Sequence, residues 1–106
     1  MKRQLVVERA VEEDLVATTT DILQDSPSAA RRFVTAARRT FEQLAQQPEM
    51  GRQYQTSHPR LQGLRIWRIR GFTRHLIFYR VTEQTVFIER VLYGGRDIAR
   101  ILDGGD

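Results

Sequence analysis

The chain of 106 residues carries 17 basic and 13 acidic side chains, a net charge of +4, with 41% hydrophobic and 28% charged residues. That is the composition of one globular domain, residues 1–106, large enough to fold alone. Cysteine is absent, which excludes disulfides, thiolate zinc sites, iron–sulfur clusters and cysteine nucleophiles. With 2 histidines, a metal site would have to recruit carboxylates; neither metal nor cofactor is expected. No apolar run approaches the ~18 residues that span a bilayer, and the N-terminus through Glu8 lacks a signal peptide's apolar stretch. A cytoplasmic protein with no membrane partner is expected.

All the basic residues but Lys2 are arginine, and their placement is lopsided. The first fifty residues carry slightly more acid than base, whereas 51–80 hold Arg52, Arg60, Arg65, Arg68, Arg70, Arg74 and Arg80 and no acid at all. Such a stretch suits a polyanion or an acidic protein face, and arginine favours bidentate contacts with phosphate or carboxylate. Arginines on the solvent side of strands, paired with acids elsewhere, explain the pattern as well.

In chain order, Gln4–Val7 reads as a short strand. A helix follows over Ala10–Gln24, with Val11, Leu15, Thr18 and Ile22 on one face and Glu12, Glu13 and Asp14 in the first turn, where acids suit the helix dipole. Ser26 as N-cap and Pro27 at the first helical position start a second helix. Its apolar stripe is Ala30, Phe33, Val34, Ala37, Phe41, Leu44 and Ala45, with Arg31, Arg32, Arg38, Arg39 and Glu42 opposite; Pro48 ends it. The short break predicts an antiparallel helical hairpin. Glu49–Gln62 reads as loop. Strands follow at Leu64–Arg70, Arg74–Thr82 and Thr85–Tyr93, joined by hairpin-length turns, then a short helix, Arg96–Leu102, and a frayed tail, 103–106. The strands are apolar on both faces, one for the helices and the other suggesting a partner. The order β-α-α-β-β-β-α is an α+β fold.

Ala29-Ala30-Arg31-Arg32-Phe33 and Phe41-Glu42-Gln43-Leu44-Ala45-Gln46-Gln47-Pro48-Glu49-Met50-Gly51-Arg52 resemble the second-helix signature of the RelE/ParE toxin superfamily. Leu64-Arg65-Ile66-Trp67, Gly71-Phe72 and Leu76-Ile77-Phe78-Tyr79-Arg80 are similar to the middle hairpin of its ParE-like members. Arg90-Val91-Leu92-Tyr93-Gly94-Gly95-Arg96-Asp97-Ile98 resembles that subgroup's ending, with Tyr93 where histidine is commonest. The resemblance implies a bacterial toxin of a type II toxin–antitoxin module, with a helical hairpin on a small curved antiparallel sheet, held inactive by a cognate antitoxin. ParE-like toxins poison DNA gyrase; RelE-like toxins cut mRNA on the ribosome.

An RNA-cleaving site needs a proton acceptor, cations on the scissile phosphate and an acid for the leaving oxygen. Here the set would be Arg74, His75, Arg90 and Tyr93, with Arg65 and Arg80 as further cations. Arginine is no base, and His75 alternates with apolar residues on its strand. A gyrase poison needs only an adhesive surface and no catalytic group: Arg65, Arg68, Arg74, Arg80 and Arg90 as the electrostatic part, with Tyr93, Arg96 and Asp97 at the C-terminal end. Trp67, Phe72, Phe78 and Phe87 are the candidate antitoxin contacts, since aromatics dominate interface hot spots, although ordinary core packing is the preferred account of Trp67. Asp97 also suits a helix opening, and Gly94-Gly95 a turn of positive φ. The preferred expectation is the ParE-like gyrase poison; the alternatives are the ribosome-dependent endonuclease, or a relic that only binds its antitoxin.

Overall fold

Ser26 lies in extended conformation and its hydroxyl accepts a hydrogen bond from the Ala29 amide at 3.2 Å, with Pro27 next. One orphan donor is thereby satisfied and φ is preset for helix, so the break read from the sequence is where the chain reverses. The computed structural model describes residues 2–104. It places strand β1 at Gln4–Val7, helix α1 at Arg9–Asp25 and helix α2 at Pro27–Gln46. Arg38 grips Glu12 with two bonds of 3.1 and 2.7 Å across the hairpin, and this holds the Glu12 carboxyl below its ordinary pKa. The remaining elements are strands β2 (Arg52–Gln53), β3 (Arg65–Ile69), β4 (Phe72–Val81) and β5 (Thr85–Tyr93) and helix α3 (Ile98–Leu102), with 3₁₀ turns at Pro48–Met50 and Pro59–Leu61. The fold is α+β, in the order expected.

The five strands form one sheet in the order β1-β5-β4-β3-β2. β1 runs parallel to β5, and the other neighbours are antiparallel. A parallel pair requires a long crossover, which here contains the helical hairpin. β2 falls in the segment read as loop. It pairs Arg52 with Ile66 and Gln53 with Arg65, and two residues carry no periodicity to read.

The helices cover one face. Val11, Leu15, Phe33, Ala37, Phe41 and Leu44 pack on Ile69, Ile77, Tyr79, Val86, Ile88 and Val91. Val34, expected within the stripe, is 36% exposed. Thr40 is buried instead; its hydroxyl donates to the Ala36 carbonyl at 2.7 Å and accepts the Arg70 amide at 3.3 Å, so α2 is fastened to the β3–β4 turn.

The second face, expected to await a partner, is largely closed by the chain itself. Leu61, Leu64, Ile66, Phe78, Leu92 and Ile101 form a second core, flanked by Tyr54, Leu76, Ile98 and Leu102. Arg80 donates to the carbonyls of Gln62 and Arg60 at 2.6 and 2.7 Å, holding the covering segment down. At the chain's end, Asp103 takes Arg60 on its carbonyl at 2.9 Å, and its carboxylate lies 2.6 Å from His58 Nε2. Asp103 is thus pinned rather than frayed; Met1, Gly105 and Asp106 lie outside the described residues. No helix among the described residues is long and apolar enough to cross a membrane.

One buried hydroxyl joins β4 to the turn that follows α2. Tyr79 donates to the Pro48 carbonyl and accepts from the Gly51 amide, both at 2.8 Å, while burial raises its phenol pKa. A side chain at Gly51 would meet that hydroxyl and lie 2.7 Å from the Ile66 carbonyl. Tyr79→Phe strands a buried amide and carbonyl and is expected to cost about 1–3 kcal/mol in urea unfolding. Gly51→Ala is expected to destabilise at least as much, because the obstruction includes backbone; an unchanged midpoint in both would refute the link.

Candidate functional site

β5 is longer than its parallel neighbour. β1 pairs with Thr85–Ile88 and stops, so beyond Ile88 the outer edge of β5 presents backbone with no strand beside it. Asp14 of α1 fills that position. Its carboxylate accepts the Val91 amide at 2.9 Å and the Arg90 guanidinium at 2.9 and 2.8 Å. The two side chains are 11% and 26% exposed, so the pair is largely shielded from solvent screening. Asp14 lies past the first helical turn, where the dipole reading put it, and acts as an edge cap for the sheet. Its one signal in the sequence is position: an acid beside Leu15, on the border of the apolar stripe.

Past this clamp, β5 ends at Tyr93, which faces His75 on β4. Arg74 donates to the Tyr93 hydroxyl at 3.1 Å, and the bond favours the charged guanidinium. The chain then turns tightly, with Gly94 amide to Arg74 carbonyl at 2.7 Å and Arg96 amide to Tyr93 carbonyl at 3.1 Å. Neither Gly94 nor Gly95 has positive φ; a Cβ at 95 would lie 2.9 Å from a Tyr93 ring carbon, so a side chain there would displace that ring. Asp97 precedes α3 without its side chain capping it, and faces Arg100 at a loose 3.9 Å.

Between α1 and this end of the sheet lies a cleft of about 340 Å³, with Asp14, Thr18 and Asp21 on the helix side and His75, Tyr93 and Arg96 on the sheet side. His75 forms part of an aromatic cluster, its ring centroid 5.0 Å from Phe33 and 5.3 Å from Tyr93. Its Nδ1 is buried without a hydrogen-bond partner among the described residues. Burial pushes the imidazole pKa below the ordinary 6.5; the Phe72 backbone pulls the other way, but forms no bond of normal geometry. The ring is therefore neutral at physiological pH.

The expected electrostatic surface does not assemble as one patch. Arg90 is committed to Asp14, Arg80 to Glu89 at 2.9 Å and to two carbonyls, and Arg65 to the Gly51 carbonyl. Arg68 is exposed and stacks over Trp67 at 4.5 Å. Arg74, Tyr93, Arg96 and Asp97 are exposed together at the C-terminal end of β5. Of the expected antitoxin contacts, Phe78 is fully buried beneath Tyr54 and belongs to the core. Trp67 and Phe72 are half-buried against the helix-side core, and half-buried Phe87 pairs with Val6, which is 38% exposed.

Residues 5–98 match the family model described as the ParE toxin of the type II toxin–antitoxin system parDE. The chain belongs to the ParE toxin family. Among solved structures, one described as the chromosomal ParDE toxin–antitoxin system from P. aeruginosa matches this ParE-family chain with a TM-score of 0.70 over 87% of this chain and 96% of that one, at 19% identity. That likeness supports the fold. No curated protein matches the sequence.

For this ParE family member, Asp14→Ala removes the bidentate carboxylate from the shielded Arg90 guanidinium and takes the side-chain acceptor from the Val91 edge amide, and a loss of about 3 kcal/mol is expected in chemical denaturation. His75 supplies a pH prediction. Its folded pKa lies below its unfolded value, so the unfolded state takes up the proton first and stability falls as pH drops below about 6.5. His75→Phe should flatten that decline in melts between neutral and mildly acid pH. An imidazole shown by NMR to titrate at or above 6.5 would contradict this.

Proposed function

We infer that the chain is the toxin of its module, that it inhibits growth by poisoning DNA gyrase, and that a cognate antitoxin neutralises it. Family membership supports the toxin role. The observation that favours gyrase over the ribosome is the Asp14 clamp on Arg90. It neutralises one of the cations that an RNA-cleaving site would turn to the phosphate, while the half-buried, neutral His75 has its Nδ1 closed off. What remains outward is Arg74, Tyr93 and Arg96, an adhesive rim with donors and one aromatic face, suited to holding a protein–DNA complex. The half-exposed apolar residues Val6 and Phe87, and the edge strand β1 beside them, suit the antitoxin. This reading places the protein in the cytoplasm, with its target.

The test is a purified gyrase supercoiling assay scored for trapped, cleaved DNA. Wild-type chain should produce linear plasmid that disappears on adding antitoxin. Arg96→Ala should weaken this about tenfold or more with the fold intact by circular dichroism. If gyrase is untouched while ribosome-bound mRNA is cut, and Tyr93→Phe abolishes the cutting, the endonuclease reading replaces this one.

A further inference from the structure

The arginines of α2 have a different fate from those of the sheet. Arg31, Arg32 and Arg39 on α2 and Arg70 at the β3–β4 turn are all exposed, and among the described residues none of them forms an ion pair. Arg32 bonds only the neutral Ser28 hydroxyl, at 3.0 Å. On α2, Arg32, Ala36, Arg39 and Gln43 follow at i, i+4, i+7 and i+11 and so share one face, with the two arginines about 10 Å apart along the axis. The Thr40 hydroxyl holds the Arg70 backbone against this helix. Two contiguous grooves result. One of about 590 Å³ is lined by Ala36, Arg39, Thr40, Gln43 and Arg70. The other, of about 350 Å³, is lined by Arg31, Arg32, Thr35, Ala36 and Arg39.

We propose that this double groove is a binding track for the phosphodiester backbone of duplex DNA, separate from the Tyr93–Arg96 cleft. The lining itself selects the class of partner. It contains four guanidiniums, hydroxyl and amide groups, and no acid, so it is complementary to a polyanion along its whole length. Alanine is its largest apolar side chain, whereas a protein partner needs an apolar pocket for an aromatic or aliphatic anchor. Interfaces with nucleic acid are the polar, strongly positive kind. Guanidinium forks match phosphate oxygens in pairs, and the small Ala36 lets a sugar–phosphate chain approach between Arg32 and Arg39. With its guanidiniums engaged on phosphate oxygens, binding is expected to be independent of sequence. The track goes beyond the gyrase reading and stands without it, because it requires only the chain and DNA.

The experiment is fluorescence anisotropy with the full chain and short labelled duplexes of two unrelated sequences, over a range of salt. Equal affinities are expected, weakening with salt at a log–log slope of about −3, as for three to four neutralised phosphates. The double variant R39A/R70A should lower affinity at least tenfold at low salt and reduce the slope by about 2. The double variant R52A/R100A, away from the track, should change little. Circular dichroism of each variant separates loss of contact from loss of fold, and Arg39→Lys with Arg70→Lys should restore part of the binding. An unaltered slope in R39A/R70A overturns the proposal. So does strong preference for one duplex, or capture of polyglutamate with no binding of DNA.

Discussion

One carboxylate decides how this chain ends its sheet. A parallel strand shorter than its neighbour leaves part of the neighbour's edge without hydrogen bonds, and β1 is four residues against nine in β5. Extending β1 would push α1 away from the core, so the edge is closed by a side chain instead. Asp14 meets that need only if α1 turns back at once after β1, and it does so, with the Glu8 amide still bonded to the Ile88 carbonyl at 2.9 Å. Arg90 follows because a carboxylate brought to a dry edge requires a counter-charge. The cleft, its Asp14 wall and the course of the chain toward Tyr93 all descend from that arrangement.

The second constraint is coverage. A small domain has few elements with which to shield two apolar sheet faces. The helical hairpin covers one. The other is covered by an irregular segment and a five-residue helix, and the Arg60 and Gln62 carbonyls of that segment are met by a side chain. Arginine solves this where lysine would not, because a planar fork can bond two carbonyls at once. Arg80 does so to Arg60 and Gln62, and Arg65, Arg60 and Arg3 each donate to a single carbonyl, those of Gly51, Asp103 and Thr82. The near-absence of lysine is explained at least in part by this bracing, not only by affinity for phosphate.

The helices, the three long strands and their order were legible because each rests on local rules: Ser26-Pro27 for a start, 3.6-residue periodicity for α2, short turns for antiparallel neighbours. β2 was illegible because its pairing is wholly tertiary. Phe78 and the second core were misjudged because two-sided strands look the same whether a partner or the chain's own tail covers them. The family ending singles out Arg96 and Tyr93, whereas nothing local marks Asp14, since its three bonds reach 76 and 77 residues along the chain.

Charge along a sequence and charge on a surface are different quantities. The segment 51–80 has the strongest basic run, yet Arg60, Arg65 and Arg80 turn at least part of their guanidiniums to carbonyls within the fold. The N-terminal half is nearly neutral by count, but its acids do not cancel its arginines evenly. Glu12 is taken by Arg38 and Glu42 by Lys2, while Arg31, Arg32 and Arg39 keep no acidic partner among the described residues. A positive stripe therefore lies along α2 as well, where the sequence tally is balanced, with Arg70 added from the β3–β4 turn. Each guanidinium is either a brace or a ligand-binding group, and which it becomes is set by whether an unpaired carbonyl or carboxylate lies within reach. On the helix the backbone carbonyls are already bonded to amides one turn on, so the arginines there that no carboxylate takes, Arg31, Arg32 and Arg39, are left to meet an anion from outside.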